Sequence, residues 1–347
     1  MLETHINNLI KKKPFSIKKE IKYKIFLSTL KRLTNHHKKK NIYFNHLASH
    51  FSNKSKIEFF PYLGTDIFKH KELKSIKKKN VYKTLISSGT SGKQSKIFLD
   101  KTNSKRQQKI LQIIGQDFLG KDRRPMLVMG EFDVKNRNKL SASNAAILGF
   151  SLFGKNIEFL NLSLKSTHKK FLTFCRKYKN QEIIIFGFTF EIWKFFKKFK
   201  FKKNILPPSS ILLHGGGWKK MESKKVNEEK FKNFLNYFGL SKIINYYGTV
   251  EQIGSIFFQC EKKFFHCSNF SDIIIRNKNF DLCNFKEKGI IQLLSLLPTS
   301  YPGHSILTQD IGAIYGEDNC ECGRKGKYFR VFGRIKDVEI RGCSDSK

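Results

Sequence analysis

From about Tyr82 onward the chain is built of short β-branched and aromatic runs separated by Gly, Ser and Asn. Runs at 126–129, 183–188, 210–213, 243–247 and 290–294 have the length and composition of buried strands. Between several of them lie stretches of helical texture, such as 104–114 and 219–238. Strands alternating with helices predict an α/β architecture with largely parallel or mixed sheets. Before residue 80 the texture differs: it is rich in Lys and His, with a helical segment around 16–33 and a turn signal at Phe60-Pro61-Tyr62-Leu63-Gly64. The pattern therefore divides the chain into a helical segment (1–80) packed on a core, an α/β core (81–332), and a last short stretch (333–347) that ends in a tail.

No run approaches 18 uninterrupted apolar residues; the best, 183–190 and 290–297, are strand-length. A transmembrane span is not expected. The start of the chain lacks the basic-then-apolar order of a signal peptide. Seven cysteines, an odd number, in 347 residues do not make a disulfide framework, so a reducing cytoplasm is expected.

Charge adds one question. There are 67 Lys+Arg against 28 Asp+Glu, a formal net of +39. Such an excess attracts polyanions in a salt-dependent way. It is spread along the whole chain and is mostly Lys, whereas nucleic-acid readers concentrate the bidentate fork of Arg on one element. The reading is a solvated lysine coat, with no specific nucleic-acid partner; a polyanion-binding protein is the non-enzymatic alternative.

Five motifs carry chemistry. Ser87-Ser88-Gly89-Thr90-Ser91-Gly92-Lys93-Gln94-Ser95-Lys96 follows a strand-like run. Its small residues let backbone N–H groups turn inward around phosphate oxygens, with hydroxyls and lysines adding donors and charge. Only two residues separate Gly89 from Gly92, so it is not a Walker A loop. His214-Gly215-Gly216-Gly217 lets backbone approach a flat base. In Asn245-Tyr246-Tyr247-Gly248-Thr249-Val250-Glu251 an aromatic beside glycine suits a purine face, and Glu251 suits Mg²⁺. Thr308-Gln309-Asp310 offers a carboxylate for two ribose hydroxyls, and Gly333-Arg334-Ile335-Lys336-Asp337 an arginine for ribose or phosphate.

In this order the five motifs resemble the AMP-forming acyl-activating superfamily, and within it the acyl-protein synthetase (LuxE-like) branch. The resemblance runs from about residue 60 to the last residue, with further matching stretches at 61–69, 140–153, 186–190 and 341–344. It implies the large α/β domain of the adenylate-forming fold, without the usual smaller C-terminal domain. It also implies ATP-dependent activation of a carboxylic acid, a fatty acid in this branch, to an acyl-adenylate. On that basis Ser87, Ser88, Gly89, Thr90, Ser91, Gly92 and Lys96 serve the β- and γ-phosphates. Gly215 and Gly216, preceded by His214, flank the adenine, and Tyr247 stacks on it next to Gly248. Thr249 lies near the phosphates, Glu251 binds Mg²⁺, Asp310 holds the ribose, and Arg334 contacts ribose or phosphate. Lys336-Asp337 sits at the hinge. Val250 departs from the threonine common before that glutamate.

In acyl-protein synthetases a tail cysteine carries the acyl group, and Arg341-Gly342-Cys343-Ser344 matches that context. A thiolate attacks an acyl-adenylate readily, and a tethered thiol gains effective concentration. Cys343 is thus the expected acyl carrier, handing on to a reductase or acyl carrier protein. The alternative within enzymes transfers the acyl group directly to coenzyme A or a carrier protein. A second group of residues has zinc-ligand chemistry. Cys320 and Cys322 could join Cys260 and His266, with Cys267 adjacent, in a closed tetrahedral structural site if the two segments pack together.

Overall fold

The computed structural model describes residues 2–51, 55–87, 93–130, 132, 139–218 and 225–335, with the side chains of 2–5 excepted. The chain begins with α1 (Leu2–Ile10), α2 (Lys19–Lys40) and α3 (Ile42–Ser49). Helix α2 runs a full turn and more past the apolar pattern that ends at Leu33. Its polar end is retained because His37 is buried against the core, and because Lys38, Lys39 and Lys40 suit the negative end of the helix dipole. Then come β1 (Leu63–Gly64), α4 (Ile67–His70), β2 (Lys83–Ile86), β3 (Lys96–Leu99) and α5 (Lys101–Leu119). Next are β4 (Arg124–Met129), β5 (Lys139–Ser141), α6 (Ala142–Phe150), β6 (Gly154–Leu160) and α7 (Thr167–Lys177). After these come β7 (Ile184–Phe188), α8 (Thr189–Lys198), β8 (Ser210–Gly215), α9 (Glu228–Asn236), β9 (Leu240–Gly248) and β10 (Ile256–Phe258). The remaining elements of the described residues are strands: β11 (Phe265–His266), β12 (Ser271–Arg276), β13 (Gly289–Ser295), β14 (Ser305–Glu317) and β15 (Lys327–Arg334).

Side-chain caps set several helix starts. Asp100 accepts from the Asn103 N–H at 2.7 Å, and Asn227 from the Lys230 N–H at 2.8 Å. Each such cap is worth about 1 kcal/mol. The Asn227 cap explains why α9 is shorter than the helical texture of 219–238.

Among the described residues the strands form three sheets. The first, ordered β10-β9-β8-β7-β4-β6, is parallel except for the β10 edge. The second, β11-β15-β14-β13-β12, is antiparallel, with β1 joined in parallel to β14. The third is the small β3-β2-β5. The expectation of largely parallel sheets thus holds for the first, while the C-terminal sheet is antiparallel throughout its main path. Strand β13 is buried along its whole length, as its continuous apolar run implies.

Phenylalanine fills the space between layers. One cluster joins the N-terminal helices to the sheets through Phe26, Phe44, Phe60 and Phe150. The N-terminal helices thus share one core with the α/β part of the chain. A second cluster lies under α7, α8 and α9, where the Phe171 ring meets those of Phe195, Phe196 and Phe201. Trp193 and Trp218 pack edge-to-face in that cluster, 5.7 Å between ring centres. Among the described residues no helix is long and apolar enough to cross a membrane.

Candidate active site

Strands β7, β8 and β9 run in parallel, so their C-terminal ends share one edge of the sheet, where open α/β sheets take ligands. At that edge β8 passes into Gly216 and Gly217, whose φ angles of 75° and 59° lie in the left-handed region. Gly215 is glycine for a different reason: a Cβ there would sit 2.5 Å from the Tyr246 ring. His214 turns inward. Its Nδ1–H donates to the Thr189 hydroxyl at 3.0 Å, and that hydroxyl donates to the Gly215 carbonyl at 3.0 Å. Burial, with Lys232 adding, pushes the imidazole down to about 3. His214 is therefore a neutral strut that shapes the glycine turn from behind, packed against Phe231.

The tyrosine pair on β9 faces both ways. Tyr246 packs on Phe150, under the parallel sheet. Tyr247 lies on the other side, beside Phe257 and Phe329, and its hydroxyl donates to Asp310 Oδ2 at 2.8 Å. Asp310 on β14 is the register partner of Arg334 on β15, whose Nε approaches Asp310 Oδ1 at 3.6 Å. Burial pushes the Asp310 carboxyl up; the Tyr247 hydroxyl and Arg334 hold it back, and Glu251 pushes it further up. Burial, with Asp310, raises the Tyr247 phenol well above its ordinary value. Tyr247, Asp310 and Arg334, far apart in sequence and drawn from two sheets, are thus assembled in one place.

The segment after β9 is fixed by its own bonds. The Thr249 hydroxyl donates to the Glu251 carboxylate. Gln252 Nε2 donates to the carbonyls of Leu293 and Gly303, and the Ile253 N–H to the Tyr301 hydroxyl at 3.0 Å. Thr308 sets Asp310: its hydroxyl donates to the Ile291 carbonyl and accepts from the Asp310 N–H. Thr189, Tyr301 and Thr308 were not singled out from sequence. The only sequence sign of them was position, Thr189 within the 186–190 stretch and Thr308 two residues before Asp310.

At the serine-rich motif, Ser87 follows β2, and β2 and β3 pair as an antiparallel hairpin. The Ser87 N–H donates to the Ser95 carbonyl, and the Ser95 N–H to the Ser87 hydroxyl. These bonds close the loop whose Ser88, Gly89, Thr90, Ser91 and Gly92 lie outside the described residues. Lys96 is exposed, 3.6 Å from Glu72 across their ion pair. Lys336, Asp337 and Cys343 also lie outside the described residues.

Cys260, His266, Cys320 and Cys322 come together, whereas Cys267 is buried separately in the core of the antiparallel sheet. A cavity of about 470 Å³, lined by Cys175, Lys179, Asn204 and Pro208 among others, opens at the opposite, N-terminal end of β8 and gathers none of the motif residues.

Solved structures share this architecture. The chain aligns with 2-hydroxyisobutyryl-CoA ligase in an open conformation, in complex with 2-HIB-AMP and CoA, at a TM-score of 0.72 and 11% identity, covering 94% of this chain and 77% of that one. It also aligns with McyG A-PCP complexed with phenylalanyl-adenylate, at a TM-score of 0.50 and 14% identity, covering 75% and 48%. The amide bond synthetase McbA from Marinactinospora thermotolerans gives a TM-score of 0.50 and 11% identity, covering 75% and 50%. At these identities the likeness is one of fold. None of the curated proteins matches the chain in sequence. A family model described as "Acyl-protein synthetase, LuxE" matches residues 2–347.

Proposed function

The chain belongs to the LuxE acyl-protein synthetase family, and on that premise we propose that it activates a fatty acid with ATP and carries the acyl group on Cys343. The observation that supports this reading is the meeting of Tyr247, Asp310 and Arg334 beside the glycine turn of β8. A buried carboxylate flanked by a phenol and a guanidinium suits a ribose diol and the phosphate next to it. Gly216 and Gly217 offer open backbone for the flat base. Tyr247 presents only part of its ring, the remainder being packed on Phe257.

Glu251 would hold magnesium, because it stands close enough to Asp310 to raise that carboxyl, and a cation there would offset the paired negative charge. When bound, the metal would neutralise charge on the departing pyrophosphate. The carboxylate oxygen of the acid attacks the α-phosphorus, the α–β anhydride bond breaks, and pyrophosphate leaves. The Cys343 sulfur then attacks the acyl carbonyl, the bond to AMP breaks, and the thiol proton goes to solvent. A reductase or an acyl carrier protein would take the acyl group from the thioester. Free thiols throughout the described residues support a reducing, cytoplasmic setting.

Intact-protein mass spectrometry after incubation with Mg·ATP and a panel of carboxylic acids tests this. The expected result is a hydroxylamine-labile mass gain, absent in Cys343→Ser. ATP–pyrophosphate exchange without any mass gain would instead move the acyl group to an external thiol such as coenzyme A. No exchange with any acid, combined with salt-sensitive DNA retention, would overturn adenylation altogether.

A further inference from the structure

Three thiols and one imidazole converge at a point remote from the site just described. The ligand atoms of Cys260, His266, Cys320 and Cys322 all lie within 4.8 Å of one another. Cys322 Sγ stands 3.3 Å from His266 Nε2. In a tetrahedral zinc–thiolate centre, Zn–S bonds of about 2.3 Å place neighbouring sulfurs about 3.8 Å apart, so only a small contraction is needed. Cys260, His266 and Cys320 are buried, and Cys322 is half-buried.

The backbone is shaped to present these groups. Cys260 opens a tight turn in which the Lys263 N–H donates to the Cys260 carbonyl, with Lys263 at a φ of 64°. Cys320 opens a second turn of the same kind. There the Gly323 N–H donates to the Cys320 carbonyl, and Gly323 has a φ of 82°. A non-glycine residue held in the left-handed region, as Lys263 is, costs on the order of 1 kcal/mol. The remaining ligand, His266, is paired on β11 with Tyr328 of β15. Its other ring nitrogen is buried without a partner among the described residues. The one polar contact of this ring among the described residues is with a cysteine.

The surroundings suit a net negative centre. Three thiolates and one neutral imidazole around a dication leave one negative charge. Arg324 lies beside Cys322, held by Asp117 at 2.7 Å and stacked 4.0 Å from the Phe118 ring centre. Lys262 and Glu321 pair across the two turns.

We infer that these four residues bind one zinc ion as a closed structural centre that staples the two large sheets together. Cys260 lies two residues past the end of β10, the edge of the parallel sheet, whereas Cys320 and Cys322 lie in the turn joining β14 to β15 of the antiparallel one. Asp117 and Phe118, at the end of α5, add a third element to the junction. All four positions are filled by protein, so no water or substrate site is left and the ion has no chemical step to perform. Asp310 lies seven residues up β14 from Glu317, about 23 Å at the rise of a strand, which places the staple at the far end of the same hairpin. The inference does not depend on the adenylating reading.

The full chain, purified without chelator, should contain one zinc per chain by elemental analysis. Exchange to cobalt(II) should give the intense visible bands of a tetrahedral thiolate centre. Cys322→Ser should lower zinc occupancy at least about tenfold, while Cys283→Ser, on the exposed connection after β12, should leave it unchanged. Cobalt spectra of the unmodified chain decide the matter even if Cys322→Ser fails to fold. Folded protein that stays metal-free after zinc is offered would overturn the inference. So would a disulfide among the three cysteines, seen as a two-hydrogen mass deficit.

Discussion

Acidification should undo the docking of α2, and His304 gives the amount. This residue lies at the head of β14 with its ring stacked on His37, 5.1 Å between centres, and its Nε2 bonded to the Thr34 hydroxyl at 3.0 Å. Its Nδ1 is buried with no partner among the described residues. Burial, with nearby His36 adding, pushes the imidazole down to about 3. His37 is likewise driven well below its ordinary value, first by burial and then by His304. It donates from Nε2 to the Pro298 carbonyl and accepts at Nδ1 from Ser75. The other groups facing the cluster are His36, bonded to the Thr299 carbonyl, and Lys40 on the same helix. Because the folded state holds these rings neutral, the unfolded chain binds more protons below its pKa of about 6.5. Stability from this source is therefore complete above that pH and falls as pH drops, until the folded pKa is reached. The slope is about 1.4 kcal/mol per pH unit for each ring. Between about pH 7.5 and about pH 5.0, His304 alone should cost about 2 kcal/mol. Urea unfolding at both pH values, for the wild type and for His304→Phe, isolates the effect. The variant keeps a flat ring beside His37 and Phe44 but cannot titrate, so its loss on acidification should be smaller by that amount. Equal losses in the two proteins would refute the argument.

Two more outcomes are expected at the site. Tyr247→Phe removes a hydrogen bond that holds the Asp310 carboxyl down, so that carboxyl's pKa rises. The acid limb of kcat/KM for ATP should then move to higher pH, with KM up about fivefold; an unmoved limb would detach Asp310 from nucleotide binding. Gly215→Ala drives a methyl into the Tyr246 ring and should cost about 1–3 kcal/mol in urea unfolding. An unchanged midpoint would mean that the ring is free to move aside.

The alternation of strand and helix between residues 124 and 248 was legible because each parallel strand there is a short apolar run bounded by turn residues. The antiparallel half was harder to read. Leu307–Gly312 and Phe332–Asp337 look like isolated glycine-marked motifs, yet Gly312 and Gly333 sit inside paired strands. A Cβ on Gly312 would come 2.8 Å from the Arg330 carbonyl, and the β14–β15 register shifts beside it. Glycine there marks a bulge with close backbone approach, which sequence alone does not distinguish from a turn. The carboxylate and guanidinium of Asp310 and Arg334 were legible as chemistry; their facing register needed the sheet. His214 was named for its place before three glycines, but its orientation depends on Thr189, which lies on another element. The glycine-rich stretch 88–92 and Cys343 carry expectations that rest on their motifs.

The chain has two tryptophans, and both lie in one cluster against each other, with Trp218 directly after the glycine turn of β8. Tryptophan emission, excited beyond the tyrosine band, therefore reports on a single neighbourhood, the α8–α9 side of the parallel sheet, and is blind to the antiparallel half. A molecule settling over Gly216 and Gly217 would disturb Trp218 and be visible without any label. Melting of β12–β15 alone would pass unseen by this signal, so fluorescence and circular dichroism traces that part company would show the two halves letting go separately.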